Sequence, residues 1–492
     1  MPLDILFVHP NASKKIYQDL SKDHSAIEPP IWAALLANQA RAKGRSVAIL
    51  DCEALRLDPA ASAKAVGEAG ARLTAIVVYG QQPSASAQNM TGVHLLAAEL
   101  KGLMPGAPIL LIGLYPSALP EKCLADEPVD FVCQGEGPET VDGLLSVTDL
   151  RDAGQLRKVP GLWFREDGRA VHGPPAGLTA AANLDRDLPG MAWDLLPMDR
   201  YRTSNWHAFS NGNQKAPFAS LYTSLGCPYH CSFCCINAPF GGSSFRHWSP
   251  DFMIGQFDKI AEMGITNIKI ADEMFVLKQE HFLRLCEKIA ARKHRFNIWA
   301  YARIDTVKEA YLDALKKAGV NWLALGIESG VKNVRADVVK GRFDELNIVD
   351  IVGKIRAHGI NVIGNFIFGL PEDTLETMQQ TLDMALELKC EFGNFYSCMA
   401  YPGSALHASA VAQKLELPAS YEGFSQHAYE CQPLPTKHLG AADVLRFRDR
   451  AFQTYYRDPG YLAHVKATFG QGTVDEIHAM VQIPLRRRLL EA

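Results

Sequence analysis

Cys227, Cys231 and Cys234 lie in the run SLGCPYHCSFCC, separated by three and then two residues. One short loop therefore offers three thiolates to a metal centre. Four ligands close an ordinary iron–sulfur cluster or structural zinc site, so a three-thiolate set leaves a coordination position open for chemistry. A zinc site normally adds a second C-x-x-C or H-x-H pair further along the chain. No second pair follows here, although His230 and His247 keep a Cys3His zinc site in play. Cys235 adjoins Cys234, and neighbours rarely reach the same metal, so its expected role is packing. The spacing favours a cluster over zinc.

Such a loop must be held by rigid elements. The residues before it, FASLYTSLG, read as a strand ending in a glycine turn. Across residues 216–410 six β runs alternate with helical patterns: SLYTSLG, NIKIADE, NIWAYARI, WLALGIES, VIGNFIFG and FYSCMAY. Six repeats rather than the eight of a closed barrel predict an open, partial (β/α)6 barrel of TIM type. The cysteine loop then sits at the C-terminal end of its first strand, where such sheets bind ligands. Residues 411–492 read as a helical, aromatic-rich region.

In this setting Cys227, Cys231 and Cys234, with Phe233 directly before the last cysteine, resemble the loop of the radical S-adenosylmethionine enzymes. The resemblance implies that the three cysteines hold a four-iron four-sulfur cluster. The open iron would be chelated by the amino and carboxylate groups of S-adenosylmethionine, and one electron would release a 5′-deoxyadenosyl radical. It also implies roles at the strand ends. Asp272 and Glu273 suit the cofactor's amino group, with an N-cap role as the plainer reading of Asp272. Arg303 suits the methionine carboxylate or a ribose hydroxyl, with pairing to Asp305 as the alternative. Glu328 and Ser329, in GIESG, suit the ribose. Ile367, in GNFIFGLPED, suits the adenine face, and Glu372 is expected to fix that loop.

Residues 1–145 carry a different pattern, a doubly wound, Rossmann-like α/β alternation of about five strands. Gly80, Gly113 and Gly135 each follow a β run, beside Gln82, Ser84, Ser86 and Ser117, and together they predict a ligand crevice. No G-x-G-x-x-G follows the first strand, so a dinucleotide site is not supported. The pattern EPP, VAILD, IGLYPSALPE and DFVCQGEG resembles the cobalamin-binding domain found in one large class of radical S-adenosylmethionine enzymes. That resemblance adds Tyr115, Glu136 and Gly137 to the expected cobalamin contacts. Gly113, Leu114, Tyr115 and Pro116 stand where members show a GG-x-HP-type turn, so the second glycine and the histidine are replaced. The D-x-H-x-x-G motif is absent, so no cobalt-ligating histidine is expected from it. Residues 146–215 form a bridge that includes a predicted β-hairpin turning at Asp167 and Gly168.

The 492 residues are ample for more than one buried core, and nothing in a net charge of −4 suggests a dedicated nucleic-acid binder. Eleven cysteines, an odd number, with an N-terminus that reads as a strand, point to a reducing cytoplasm rather than a disulfide scaffold. No apolar run approaches the ~20 residues of a membrane span. The expectation is a cobalamin-dependent radical S-adenosylmethionine C-methyltransferase using an external one-electron donor such as flavodoxin or ferredoxin. The rivals are cyclisation, oxidation or rearrangement with the same cofactors, and a non-catalytic cobalamin-binding iron–sulfur protein. Methylthiolation would need three further cluster cysteines, and Cys52, Cys123 and Cys133 lack that spacing.

Overall fold

The computed structural model describes residues 3–80, 82, 84–338 and 347–491. The first unit is built on seven strands: β1 (Ile5–His9), β2 (Val47–Asp51), β3 (Leu73–Val78), β4 (Ile109–Gly113), β5 (Phe131–Cys133), β6 (Leu162–Glu166) and β7 (Arg169–His172). Their order is β2-β1-β3-β4-β5-β6-β7. The first five run parallel, β6 pairs antiparallel with β5, and β7 pairs antiparallel with β6. The hairpin expected in the bridge is present, turning through Asp167 and Gly168 at φ of 50° and 75°. It extends the first sheet rather than standing apart, so pairing continues well past residue 145.

Strands β1, β3 and β4 are buried along their whole length because helices cover both faces. Chain direction around the sheet reverses between β1 and β3, which lie side by side with β2 on the other flank of β1. A doubly wound sheet opens a ligand crevice at such a switch point, beyond the C-terminal ends of the strands.

The second unit is an open six-stranded parallel sheet: β8 (Phe218–Leu221), β11 (Asn267–Ile270), β12 (Asn297–Arg303), β13 (Val320–Glu328), β14 (Asn361–Phe368) and β15 (Phe392–Ser397). Between β8 and β11 a short antiparallel pair, β9 (Ser224–Leu225) and β10 (Arg246–His247), closes the base of the cysteine loop. Helices follow each strand on the outside. Their starts are set by local caps, such as Ser249 accepting from the Phe252 N–H at 3.1 Å and the Thr374–Thr377 capping box. Strands β8 and β15 are not paired to each other, so the barrel has an open side. The C-terminal helix Ala441–Tyr456 packs on β15, where Tyr456 donates to the Gly393 carbonyl at 2.8 Å.

One hydrophobic core runs through both units, from Phe7, Trp32 and Leu36 to Phe218, Trp248 and Ile268. Two buried ion pairs cross the same junction. Glu28 meets Lys269 of β11 at 2.9 Å, and Glu136 meets Arg246 of β10 at 2.7 Å. No helix among the described residues is long and apolar enough to cross a membrane.

Candidate active site

Cys227, Cys231 and Cys234 share one wall of a cavity of about 280 Å³ at the C-terminal end of the barrel strands. The loop is fixed by a turn in which the Cys234 N–H donates to the Cys231 carbonyl at 3.1 Å. Ser232 is tied on both sides, its N–H to Val338 and its carbonyl to the Leu406 N–H. Among the described residues no three ligating side chains converge tightly enough for a single ion. Three thiols on one cavity offer the ligand set of a cluster with an open position. The two candidate zinc histidines are engaged elsewhere. His230 meets Ser243 at 3.0 Å, and His247 meets the Trp248 carbonyl at 3.2 Å beside the His281 ring. Burial pushes the Cys227 and Cys231 thiols up to about 11, and raises Cys234 well above the ordinary thiol value. Cys235 also lines the cavity.

Five of the seven residues expected at S-adenosylmethionine line this cavity: Phe233, Glu273, Arg303, Glu328 and Ile367. Asp272 does not. It is buried and accepts from the Thr223 N–H and from the hydroxyls of Thr223 and Ser224, all at 2.6 Å. Ser329 is likewise absent from the wall, bonded to Thr381 at 3.1 Å. The neighbouring carboxylates therefore divide the work. Asp272 ties β11 to β8 and the start of the loop, while Glu273 faces the cavity.

Glu273 Oε2 is buried with no hydrogen-bond partner among the described residues. Burial pushes its carboxyl up to about 8. An orphaned carboxylate beside the thiols fits an ammonium group, which would satisfy it and restore its charge. Glu328 carries a second sign of a ligand site. Its φ is 63°, left-handed for a residue with a side chain, where β13 bulges against β14. Gly326 makes this possible, because a Cβ there would stand 2.6 Å from Glu328 Oε1. Burial pushes the Glu328 carboxyl up to about 7.

Arg303 makes the expected pair with Asp305, two-pronged at 2.9 and 2.8 Å, and still lines the cavity. It also lies 3.8 Å above the Tyr229 ring and donates to Cys231 Sγ at 3.8 Å. Asp373 rather than Glu372 fixes the GNFIFGLPED loop, accepting from the Gly369 and Leu370 N–H groups at 3.0 and 2.9 Å. Glu372 pairs with Lys437 on the surface.

Across the cavity stands the first sheet. Gln82 and Ser84, on the loop after β3, line the same cavity as the cysteines. The other residues expected at cobalamin build the edge behind them. Ser86 Oγ donates to the Val78 carbonyl and accepts from the Tyr115 N–H at 3.0 Å. Ser117 bonds the Gly135 N–H and carbonyl, both at 3.2 Å. Glu136 is taken by Arg246 and the Thr179 N–H. Tyr115 is buried against Tyr421. Gly113 passes so close to β3 that a Cβ would lie 2.6 Å from the Val78 carbonyl oxygen. Gly80, Gly135 and Gly137 all turn at positive φ. This edge, with its crevice facing the barrel, fits a large ligand held between the two units.

A second cavity, about 240 Å³, shares Gln82, Ser84, Tyr396, Tyr401 and Gln426 with the first. Its walls come from the N-terminal segment, β15 and the C-terminal helices. The sequence carries no local pattern for it. Lys269 was also missed, although a lysine between isoleucines in a β run signals a buried charge in need of a partner.

Comparison with known proteins agrees with this geometry. A family model for the Radical SAM superfamily matches residues 221–385, and one for the B12 binding domain matches residues 24–145. An uncharacterized methyltransferase of Pyrococcus horikoshii is 26% identical over 437 residues, covering 88% of this chain and 89% of its own. The fold matches the methyltransferase TsrM from Kitasatospora setae, solved with cobalamin and a [4Fe-4S] cluster, at a TM-score of 0.66 and 18% identity. That match covers 94% of this chain and 90% of that one. It also matches OxsB, a cobalamin-dependent radical enzyme solved with aqua-cobalamin and S-adenosylmethionine, at a TM-score of 0.69 and 16% identity, covering 98% and 71%. Two cofactor domains joined by one core, each with its strand ends turned toward the other, place this chain in the cobalamin-binding radical S-adenosylmethionine family.

Proposed function

We propose that the protein is a cobalamin-dependent radical S-adenosylmethionine C-methyltransferase acting on an unactivated carbon. The observation that carries this reading is the single cavity bounded by Cys227, Cys231 and Cys234 on one side and by Gln82 and Ser84 on the other. When bound, the three cofactors supply a radical that removes hydrogen from the substrate and a methyl group that replaces it. Cys227, Cys231 and Cys234 would hold the cluster. Glu273 would bind the cofactor's ammonium group, and Ile367 would pack on its adenine. Glu328 would meet the ribose, and Arg303 would orient the carboxylate end while keeping its grip on Asp305. Gln82 and Ser84 would contact cobalamin. The edge formed by Gly80, Ser86, Gly113, Tyr115, Ser117, Gly135, Glu136 and Gly137 would shape its seat.

The reaction requires an external one-electron donor, such as a flavodoxin or ferredoxin. Eleven cysteines, none in a disulfide, fit a reducing cytoplasm. The test is anaerobic. Protein reconstituted with iron, sulfide and hydroxocobalamin is freed of unbound corrinoid and assayed for iron and cobalt. It is then given methyl-deuterated S-adenosylmethionine and a reductant. Retained cobalt, label on the corrinoid and 5′-deoxyadenosine in the same sample are the expected result. A full cluster without retained cobalamin would remove the methyl donor and with it this reading.

A further inference from the structure

We infer that the second cavity is the substrate's seat, and that it selects an anionic amphiphile whose carboxylate or phosphate is held by Arg448 and His427. This rests on the reading above for the reaction, but not for the binding. The cavity leads to the radical site, because Tyr396, Tyr401 and Gln426 belong to both walls. A molecule seated here presents one end to the cysteines and leaves the other among the C-terminal helices.

Buried positive charge stands close to the shared wall. Arg448 is 4% exposed and lines the cavity. Its Nε donates to the Phe395 carbonyl at 2.7 Å and its Nη1 to Asp449 at 2.9 Å. Its Nη2 has no protein partner among the described residues. Asp449 is shared, because Arg487 also donates to it through two nitrogens, both at 2.9 Å. Two guanidiniums on one carboxylate leave a net charge of +1 in a dry setting, which calls for an anion. His427 lines the same stretch, and neither ring nitrogen has a partner among the described residues. Burial, with Arg448 and Arg487 close by, holds its imidazole down at about 3, so it meets a ligand as a neutral donor. Glu476, a carboxylate of this wall, lies 4.0 Å from Lys215, and its Oε2 has no hydrogen-bond partner among the described residues. Trp206, Phe392 and Phe452 supply apolar surface on the same cavity. Such a lining binds a molecule with an apolar body and one oxyanion.

Binding to the reconstituted holoenzyme can be measured without turnover, by calorimetry with decanoate, decyl phosphate and decanol. These share a chain and differ only at the head. We expect one or both anions to bind about tenfold or more tightly than the alcohol, as a charge-assisted hydrogen bond predicts. The better of the two identifies the head group. Arg448→Met should abolish the preference, and Arg448→Lys should retain part of it. His427→Phe should weaken anion binding while leaving the Arg448 contacts to β15 in place, which covers a folding failure of the methionine variant. Equal binding of all three, or a preference that survives Arg448→Met, overturns the inference. Loss of cobalamin from Arg448→Met would also overturn it, because the arginine would then serve the corrinoid's own phosphodiester. Absence of 5′-deoxyadenosine would sink the proposed reaction and leave these binding results standing.

Discussion

The strand ends of the two sheets face one another but are finished differently. At the barrel's edge the polar groups are left incomplete. Glu273 has an oxygen without a partner among the described residues, Glu328 is held in a left-handed turn, and three thiols line one cavity. At the first sheet's edge Ser86, Ser117 and Glu136 are already bonded within the protein. The barrel is arranged to recognise a small, charged ligand through unsatisfied groups. Among the described residues the first sheet offers a closed frame with few free side chains, which suits recognition of a large ligand by shape.

The comparison can be broken in several ways. The largest effect is expected from replacing Cys227, Cys231 and Cys234 together by alanine. Iron should fall to background and S-adenosylmethionine cleavage should vanish, while Cys235→Ala keeps both. Next, Glu136→Ala strands the buried Arg246 and should cost about 3 kcal/mol in urea melts. Its folded fraction should bind S-adenosylmethionine as the parent does. Impaired binding there would mean that the frame and the reactive edge are one site. Glu273→Gln should weaken S-adenosylmethionine binding by about 2 kcal/mol, measured by equilibrium dialysis of reconstituted protein, with little change in melting.

A smaller effect tests the opposite end of the barrel, where His207 bonds Thr203 at 2.7 Å and the Asn297 carbonyl at 2.8 Å. Burial holds its imidazole at about 3 in the fold. An unfolded histidine titrates near ~6.5 and so binds more protons in between. Stability is therefore full above that value and falls with acid, by at most about 1.4 kcal/mol per pH unit. His207→Gln should flatten this acid limb in melts from pH 7 to 4. Smallest of all, Glu328→Gly should relieve left-handed strain and raise stability by about 1 kcal/mol, while weakening S-adenosylmethionine binding.

What could be read from the chain depended on how local each signal was. The cluster loop was legible because its ligands sit within eight residues of one another and their spacing is the message. The six barrel strands were legible because buried parallel strands are apolar runs between turns. Asp272 and Glu273 were legible as a pair but not in their roles, since β11 ends at Ile270 and the chain turns at Glu273. Only Glu273 reaches the cavity. The hairpin was legible, but its partner was not, because nothing in β6 names β5. The second cavity was invisible, since Tyr17, Trp206, Asn394 and Arg448 meet only after folding.

The core that passes from Trp32 through Trp248 into the barrel has an evolutionary reading. The N-terminal unit is not a cassette that recombination could trade between related enzymes. A foreign partner would have to match its apolar surface and also meet Glu28 and Glu136 with correctly placed cations. A swapped N-terminal unit that misses either cation would leave a buried carboxylate stranded at the seam, so the two halves constrain each other's sequence.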